Sequence, residues 1–558
     1  MKFSDKILSQ TVTQLCLAKG IEHIVISPGS RNAPLTIGFT EVETFTNYSI
    51  VDERCAAFFA LGIAQQIKKP VALVCTSGSA LLNYYPAVAE AYYSDIPLII
   101  ISADRPASHI EIGDGQTIQQ EQVFGNHVLF HANCKEGDAH QTFNETEINS
   151  ALNKALVENG PVHINLPFSE PLYNKTMEAS VIPTVIPLME KDVLKGIELE
   201  TAMEPFIDPW NQSKRKLILV GVLAPNSVEK QLIEKLAKDK SVIVLTETTS
   251  NIHHDQFFPA IDQLIAPLNE AEFEQLQPDV LLTFGGMVVS KKIKAFLRAY
   301  PPKVHWHVDP KKAYDTYFVL DKHIQSTPNA FLQFLLENPT AVASSFHEDW
   351  QAVRRHRLQR HESYLNEIEF SDFKVFAEVF STLPENIQIQ LSNSATIRYA
   401  QLFDIHESIE VFCNRGTSGI DGSMSTAIGA TVGSKKSTTF ITGDLSFFYD
   451  SNALWNNYTP KSFKIIVINN GGGGIFRILK GAKETEHFDT YFETKHQLTA
   501  EKLCEMHGLE YTSVTEEHAL RSSLSLFFSR NKGPQLLEIF TPSEVNDKIL
   551  LDYFKFIR

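Results

Sequence analysis

The alternation of apolar and polar segments along the chain predicts its fold class. Three stretches share one pattern, in which short runs rich in β-branched residues alternate with amphipathic segments, and Gly, Ser, Asn or Asp follows each run. Parallel βαβ units show this pattern, because their strands are buried on both faces and their connecting helices on one. We therefore expect an α/β protein with three doubly wound parallel-sheet domains in series.

The length of the chain agrees with this interpretation, since 558 residues at roughly 100 to 200 residues per domain predict about three or four domains. We expect an N-terminal domain at 1–175, a middle domain at 190–345 and a C-terminal domain at 370–558. A Pro-rich linker at 171–187 and a charged, solvated helix at 347–367 should connect them. The predicted strands are 21–27, 71–75, 97–102, 162–166, 217–222, 242–246, 280–284, 304–308, 388–391, 410–413, 438–442, 464–469 and 536–540.

The charge balance argues against several classes of function. A net charge of −16 opposes binding to the anionic surface of nucleic acid or of a membrane. The apolar runs are shorter than the roughly 18 to 20 residues of a membrane-spanning helix, and no secretion signal is recognisable. The six cysteines lack CxxC spacing, which favours buried thiols in a reducing compartment. We expect a soluble, cytoplasmic protein that binds neither nucleic acid nor membrane.

Two neighbouring strand ends carry residues that suit a metal ion. Asp444, followed by Leu445 and Ser446, ends one predicted strand, and Asn470 ends the next, 26 residues later. Gly472 could add a backbone carbonyl where no Cβ obstructs close approach. Oxygen ligands of this kind suit Mg²⁺. Either piece alone would be an ordinary tight turn, but the pair at this spacing favours a metal site.

An acidic pair heads an apolar helix in the N-terminal domain. Asp52 and Glu53 precede the segment Arg54-Cys55-Ala56-Ala57-Phe58-Phe59-Ala60. Acidic residues at such a place also stabilise a helix through its dipole. By itself the pair therefore leaves a structural and a functional interpretation open.

The Asp444 and Asn470 motifs resemble the metal and diphosphate signature of thiamine-diphosphate enzymes. The resemblance implies thiamine diphosphate with Mg²⁺ or Mn²⁺ bound by Asp444, Asn470 and Gly472. It also implies that Glu53 contacts the aminopyrimidine of the cofactor from a partner subunit. Further positions that the resemblance assigns to the cofactor are Leu445, Ser446, Ile420, Phe476 and Leu479.

Arginines in strand-end turns narrow the resemblance further. They occur in Ser27-Pro28-Gly29-Ser30-Arg31, Ala103-Asp104-Arg105-Pro106, Asn393-Ser394-Ala395-Thr396-Ile397-Arg398 and Asn414-Arg415-Gly416. Together with Gln116, these motifs closely resemble the 2-succinyl-5-enolpyruvyl-6-hydroxy-3-cyclohexene-1-carboxylate synthases of menaquinone biosynthesis. The resemblance assigns substrate contacts to Ser30, Arg31, Arg105, Gln116, Lys291, Lys292, Ser394, Arg398 and Arg415.

That family decarboxylates 2-oxoglutarate and adds the resulting succinyl-semialdehyde carbanion to isochorismate. The two substrates carry four carboxylates, and arginine forks bind carboxylates in a bidentate manner. This chain departs from the family at Lys292, where Arg is frequent, and at Gly471 to Gly474, where Asn-Gly-Gly-Gln is more usual. The resemblance further implies a homodimer or homotetramer with active sites between subunits.

Two alternatives remain open from the sequence. One is another thiamine-diphosphate 2-oxo-acid decarboxylase or an enzyme similar to acetolactate synthase, whose acyl substrates are smaller or apolar. The other is a catalytically silent protein on the same fold that binds carboxylates or acts as a scaffold. The arginine-rich turns argue against the first alternative, and the presence of Glu53, Asp444 and Asn470 together argues against the second.

Overall fold

The computed structural model describes residues 2–189, 201–337, 342–478, 481–530 and 532–558. Within them, three parallel sheets of six, five and six strands follow one another along the chain. This confirms the predicted α/β class. Among the same residues, no helix has the length and hydropathy needed to cross a membrane. The six cysteines are free and buried, as expected.

The order of strands in each sheet defines the three domains. The N-terminal sheet has the order β3 (Thr46–Ser49), β2 (His23–Ile26), β4 (Val71–Cys75), β5 (Leu98–Asp104), β7 (Val162–Pro167), β6 (His131–Asn133). The middle sheet has the order β10 (Val242–Thr246), β9 (Lys216–Val220), β11 (Val280–Phe284), β12 (Val304–Val308), β13 (Lys322–Ile324). The C-terminal sheet has the order β15 (Glu410–Cys413), β14 (Gln388–Leu391), β16 (Thr438–Gly443), β17 (Phe463–Asn469), β19 (Gln535–Phe540), β18 (Glu510–Val514).

Helices lie between these strands and cover the sheets. In the described residues the α-helices are Ile7–Ala18, Ala33–Thr40, Glu53–Ile67, Ser79–Asn83, Tyr85–Ser94, Gln141–Glu158, Ile207–Gln212, Lys230–Leu236, Ile261–Ile265, Glu270–Leu276, Lys291–Ala299, Pro328–Glu337, Phe346–Glu367, Asp372–Thr382, Ala395–Ala400, Ser423–Ser434, Asp444–Tyr449, Phe488–Tyr491, Glu501–His507, Glu517–Ser529 and Asn546–Phe556. In the N-terminal sheet, Leu73 and Ile100 pack into one apolar cluster, whereas Val74 and Ile101 pack into another on the opposite face. The strands are continuously apolar because both faces are buried.

All the predicted strands are present, with ends shifted by at most two residues. Strands that the sequence pattern missed in the three large sheets all lie at sheet edges, where only one neighbour contributes to burial; they are β3, β6, β13 and β18. The expected linker is ordered in part, because β8 (Lys175–Thr176) pairs antiparallel with β1 (Phe3–Ser4). The domain boundaries themselves stay a prediction.

The helix at 347–367 was predicted to be solvated, which is wrong for one of its faces. The helix Phe346–Glu367 is present, but Trp350, Arg357 and Tyr364 are buried in it. Tyr364 belongs to the apolar cluster of the C-terminal domain, and its hydroxyl donates to the Ile549 carbonyl at 2.6 Å. The helix therefore packs against the middle domain at its start, through Trp350, and against the C-terminal domain at its end, through Tyr364, while its opposite side stays charged.

Two helices bring the N-terminal and C-terminal domains into backbone contact. Helix Glu53–Ile67 crosses helix Ser423–Ser434, and a Cβ on Gly62 would lie 2.1 Å from the Thr426 carbonyl oxygen. A Cβ on Gly429 would lie 2.0 Å from the Phe59 carbonyl oxygen. Such spacing requires glycine on both sides of the crossing. The predicted cofactor residue Glu53 heads one of these two helices.

We expect Gly62→Ala to destabilise the protein. The added methyl group meets backbone rather than a movable side chain, so the two helices must separate, at a cost of about 1–3 kcal/mol or more. Thermal unfolding followed by circular dichroism measures the effect. Gly533→Ala is the matched control, because nothing lies within 4 Å of a Cβ there. An unchanged midpoint for Gly62→Ala would contradict the close crossing.

Candidate active site

The predicted metal residues meet at the carboxyl end of the C-terminal sheet. Strands β16 and β17 pair in parallel, so Asp444 and Asn470 follow adjacent strand ends. Asp444 is only 3% exposed. Its Oδ1 accepts from the backbone N–H of Leu445 at 2.6 Å, and its Oδ2 accepts from the N–H of Gly472 at 3.0 Å. The carboxylate thus connects the two turns directly.

Asn470 is oriented by a residue that the sequence pattern did not reveal. Its Nδ2 donates to Oδ2 of Asp372 at 2.8 Å, and Oδ1 of Asp372 accepts from the Thr541 hydroxyl at 2.6 Å. Asp372 is buried, which raises the pKa of its carboxyl group to about 6. Because the amide nitrogen faces Asp372, the amide oxygen of Asn470 is turned away from it and is free to bind a cation.

The donor set fits a hard cation. Gly472 has φ +152°, and a Cβ there would lie 2.7 Å from the Glu493 carbonyl oxygen, so only glycine fits the turn. In the described part of the chain, no group of three or more His, Cys, Asp or Glu is arranged for a metal ion. A cation at this edge would therefore use one carboxylate, one amide oxygen and one backbone carbonyl, a set that suits Mg²⁺.

A histidine lies against the same carboxylate. His496 Nε2 is 3.3 Å from Oδ2 of Asp444, and this contact raises the pKa of the imidazole. A histidine so far from the Gly-Asp motif in sequence carries no local pattern that marks it. Its contact with Asp444 depends on the loop that follows β17.

Glu53 lies at the junction of the N-terminal and C-terminal domains. The preceding residue, Asp52, caps the helix by accepting from the Cys55 N–H at 3.1 Å. Glu53 is half-buried, and its Oε2 accepts from Nδ2 of Asn83 at 3.3 Å. Asp52 also accepts from Nδ2 of Asn452 at 2.8 Å. The start of the Glu53 helix is thereby joined to the segment after the Asp444–Tyr449 helix.

Two of the predicted arginines lie together in the N-terminal domain. Arg31 is 5% exposed and donates from Nη1 to the Phe168 carbonyl at 2.9 Å and from Nη2 to Oε1 of Glu170 at 3.3 Å. Burial and the nearby charge of Arg105 lower the pKa of Arg31. Arg105 donates to the Gly115 carbonyl at 3.1 Å, which connects it to the loop of Gln116. Ser30 and Gln116 are exposed beside them.

Two further arginines lie in the C-terminal domain. Arg398 donates from Nη1 to the Ser394 carbonyl at 2.5 Å, and Arg415 donates from Nη1 to Oδ1 of Asn393 at 2.7 Å. Burial, followed by the charge of Arg415, lowers the pKa of Arg398. Ser394 has φ +69°, an unusual conformation for a residue with a side chain. The backbone at this predicted contact is therefore strained.

The loop of Arg415 is fixed by Glu90 of the N-terminal domain, another residue that the sequence analysis missed. Glu90 is 1% exposed, and its carboxylate accepts from the N–H groups of Gly416 at 2.7 Å and Thr417 at 2.6 Å. A buried acid inside the apolar helix Tyr85–Ser94 is the signal that could have identified it.

The basic pair from the middle domain lies at the start of helix Lys291–Ala299, and both of its side chains are exposed. The ammonium of Lys292 lies 4.6 Å from the centre of the Phe554 ring in the C-terminal domain. Burial lowers the pKa of Lys294, one turn further on, and the charge of Arg415 lowers it as well. The middle domain therefore contributes cations close to the two arginines of the C-terminal domain.

The predicted apolar cofactor contacts are only partly described. The carbonyl of Ile420 accepts from the Ser446 hydroxyl at 2.8 Å, which joins the Ile420 loop to the Asp444 turn. Phe476 packs on Phe492, with ring centres 6.1 Å apart. Leu479 lies outside the described residues. The roles of these side chains stay predictions.

Comparison with known proteins decides the family. Residues 7–127 match the "Thiamine pyrophosphate enzyme, N-terminal TPP binding domain", residues 192–391 the "Middle domain of thiamine pyrophosphate", and residues 394–539 the C-terminal TPP binding domain. A protein of Flavobacterium johnsoniae named 2-succinyl-5-enolpyruvyl-6-hydroxy-3-cyclohexene-1-carboxylate synthase is 57% identical over 98% of each chain. A synthase of the same name from Christiangramia forsetii is 53% identical over 100% of both chains. Another from Phocaeicola vulgatus is 38% identical over 99% of this chain and 98% of the relative.

The chain belongs to this synthase family. It is a thiamine pyrophosphate-dependent enzyme with both TPP binding domains of that class. The resemblance read from the sequence motifs is thereby confirmed, and so is the choice of this synthase family over the acetolactate-synthase-like alternative. The individual site residues stay predictions.

The contact between Asp372 and Asn470 should affect how tightly the enzyme binds its cofactor, because it orients a predicted metal ligand. Asp372→Asn leaves one acceptor oxygen for two donors, the Asn470 amide and the Thr541 hydroxyl, and removes the charge, so the contact that orients the predicted metal ligand is weakened. We expect the affinity for thiamine diphosphate with Mg²⁺ to fall about 10- to 100-fold. Isothermal titration calorimetry with both components measures it.

Glu378→Gln on the same helix is the matched control, because Glu378 pairs with Arg521 at 3.2 Å on the surface. Wild-type affinity in Asp372→Asn would show that Asn470 does not need this orientation. A loss of equal size in the control would point to a general effect of the helix.

Proposed function

We propose that the chain decarboxylates 2-oxoglutarate and adds the succinyl-semialdehyde unit to isochorismate, giving 2-succinyl-5-enolpyruvyl-6-hydroxy-3-cyclohexene-1-carboxylate for menaquinone biosynthesis. The observation that carries the proposal is full-length identity of 57% to a relative with that product in its name. The retention of Glu53, Asp444 and Asn470 in one chain supports an active enzyme rather than a silent scaffold.

Thiamine diphosphate with Mg²⁺ or Mn²⁺ is the cofactor in this proposal, and when bound it supplies the electron sink for decarboxylation. Asp444, Asn470 and the Gly472 carbonyl would hold the metal ion. The orientation of Asn470 by Asp372 and the contact of Asp444 with Gly472 support this assignment. Leu445 and Ser446 complete the turn, and Ile420 and Phe476 form apolar contacts.

Glu53 would transfer a proton to and from the aminopyrimidine of the cofactor. Its carboxylate accepts a hydrogen bond from Asn83 and stands at the start of a helix that is fixed in the domain junction. A fixed carboxylate suits general acid–base catalysis, in which geometry comes first and the pKa second.

The cations of the three domains would bind the substrate carboxylates. Ser30, Arg31, Arg105 and Gln116 are contributed by the N-terminal domain, Lys291 and Lys292 by the middle domain, and Ser394, Arg398 and Arg415 by the C-terminal domain. Positive charge gathered in an otherwise acidic protein attracts anionic substrates. A guanidinium has five N–H donors, and the hydrogen bonds described above use only part of them at Arg31, Arg105 and Arg415.

The proposal includes a homodimer or homotetramer in which each active site lies between two subunits. Around Glu53, the apolar side chains of Val51, Leu82, Tyr449 and Trp455 are 45–53% exposed. Arg54 stacks on Tyr449 at 4.8 Å and joins that side chain to the Glu53 helix. Exposed apolar side chains gathered beside catalytic residues are typical of a subunit interface. Light scattering of the purified protein tests for a particle of at least two chains.

The decisive test is an assay of purified protein with thiamine diphosphate, Mg²⁺, 2-oxoglutarate and isochorismate. We expect isochorismate to be consumed with the release of CO₂ and the appearance of a product of the expected mass. Release of CO₂ from 2-oxoglutarate without consumption of isochorismate would favour the decarboxylase alternative. Formation of acetolactate from pyruvate would favour an enzyme similar to acetolactate synthase.

A further inference from the structure

A buried glutamate of the middle domain binds the turn that precedes the basic pair. Glu247 directly follows β10 and is 4% exposed. Its Oε2 accepts from the Val289 N–H at 2.7 Å, and its Oε1 accepts from the Ser290 N–H at 2.8 Å. Both carboxylate oxygens are thus used on two successive backbone amides, immediately before the helix of Lys291.

A second acid, Asp262, is half-buried and binds the same turn from another side. Asp262 accepts from the Ser290 hydroxyl, and that hydroxyl in turn accepts from the Ile293 N–H at 3.1 Å as the cap of the helix. Ser290 is therefore fixed through its backbone by Glu247 and through its side chain by Asp262. The direction in which the helix begins, and with it the position of Lys291, depends on these two carboxylates.

The same acids also lie near the arginines of the C-terminal domain. Burial raises the pKa of both Glu247 and Asp262. The charge of Arg415 opposes this rise at Glu247, and the charges of Lys292 and Arg398 oppose it at Asp262. The backbone next to Glu247 contacts the C-terminal domain, since the Thr248 N–H donates to Oε1 of Gln401 at 3.0 Å. The two acids thus connect the cations of two domains.

Removing the Glu247 carboxylate from water, and the Asp262 carboxylate in part, is costly unless their hydrogen bonds bring a compensating benefit. An ordinary helix start would need neither, because the Ser290 cap already satisfies one amide. We propose that Glu247 and Asp262 are positioning residues, which fix the Lys291-Lys292 turn against Arg398 and Arg415 so that these cations bind the carboxylates of isochorismate together. This inference rests on the proposed function.

The first test is the steady-state kinetics of Glu247→Gln. The amide keeps one acceptor but turns an NH₂ group towards a backbone N–H, so the turn has to shift. We expect KM for isochorismate to rise about 10-fold, because small displacements of binding groups have effects of this size. Release of CO₂ from 2-oxoglutarate alone should change less than about 2-fold.

A double-mutant cycle separates positioning from general stability. In a chain that carries Lys291→Ala and Lys292→Ala, adding Glu247→Gln should raise KM for isochorismate by less than about 2-fold, because the lysines through which Glu247 acts are gone. Asp262→Asn should behave in the same way. An equal rise in KM with and without the lysines would overturn the proposal.

Asp239→Asn is the matched control. Asp239 precedes β10 while Glu247 follows it. Its carboxylate accepts from the N–H and the hydroxyl of Ser241 and pairs with Lys216 at 3.2 Å, at the opposite edge of the sheet from Glu247. This variant should keep the wild-type KM.

If the wild type does not consume isochorismate at all, the proposed function fails. Hydrogen exchange at the Val289 and Ser290 amides then tests the positioning alone, with an exchange at least about 10-fold faster expected in Glu247→Gln.

The pH dependence of KM gives a readout that a purely structural role would not change. Burial raises the pKa of Glu247 to about 7, so the carboxylate is charged at pH 8 and mostly protonated at pH 6. The charged and titratable groups around it are Asp262, Arg415, Lys294 and Tyr317. We expect KM for isochorismate to rise as the pH falls from 8 to 6 in the wild type, and to be flatter in Glu247→Gln. Identical profiles would contradict the proposal.

Discussion

Glu53→Gln is expected to lower the rate of product formation by about 100-fold or more, because general acid–base catalysis contributes roughly 10² to 10⁴. The glutamine has the shape of glutamate and can still accept a hydrogen bond from Asn83, whose Nδ2 lies 3.3 Å from Oε2 of Glu53. It cannot exchange a proton with the aminopyrimidine of the cofactor. Fold and metal binding should therefore be preserved while turnover is lost.

The measurement is the consumption of isochorismate with saturating cofactor, together with the affinity for thiamine diphosphate. The adjacent Asp52→Asn is the matched control, since asparagine caps helices as well as aspartate does. The Asp52 side chain accepts from the Cys55 N–H and from Asn452, and asparagine keeps an acceptor oxygen. Turnover in Glu53→Gln within about 3-fold of the wild type would show that another group moves the proton. Equal losses in both variants would instead indicate damage to the helix start.

The central strands could be predicted from the sequence because their physical requirement is visible in it. A strand between two others is covered on both faces, so it reads as an unbroken apolar run, as in Val71–Cys75 and Val280–Phe284. An edge strand such as Glu510–Val514 keeps polar residues and pairs on one side only. Its pairing is determined by the neighbouring strand rather than by its own composition.

The helix Phe346–Glu367 shows a different limit. Its many charged residues indicate a solvated helix, but Arg357 and His361 are buried. Arg357 donates to the Ile557 carbonyl, and His361 Nδ1 lies 2.7 Å from the Tyr553 hydroxyl. Polar residues can be buried when partners from distant parts of the chain satisfy them. Those partners are not visible from the local sequence.

The same distinction applies to the active site. Residues that directly follow a strand, such as Asp444 and Asn470, could be predicted because parallel strands end at one edge of the sheet. Asp372 and Glu247 could not, because each acts on a loop that is distant in sequence. Glu90 is marked as an acid inside an apolar helix, but the sequence does not show the distant loop that it binds. Motifs therefore identify the groups that face a ligand, whereas the acids that fix those groups become apparent only from the fold.

Asp444→Asn should have the second large effect, on the affinity for the cofactor rather than on proton transfer. Asp444 is the only charged group among the three predicted metal ligands, since Asn470 offers an amide oxygen and Gly472 a carbonyl. Its Oδ2 also accepts from the Gly472 N–H at 3.0 Å, so the substitution affects the turn of a second ligand. We expect binding of thiamine diphosphate with Mg²⁺ to weaken by about 100-fold or more.

Titration calorimetry with thiamine diphosphate, in the presence of Mg²⁺ and after treatment with EDTA, separates the effect of the metal from that of the protein. The wild type should lose affinity when EDTA removes the cation, whereas Asp444→Asn should bind weakly in both conditions. Asp489→Asn is the control, because Asp489 lies in the same domain and pairs on the surface with Lys495 at 3.1 Å. An affinity of the wild type that does not depend on metal would exclude the proposed ligand set. Metal-dependent binding of wild-type strength in Asp444→Asn would instead move the cation away from this carboxylate and leave Asn470 and Gly472 as structural residues of the turn.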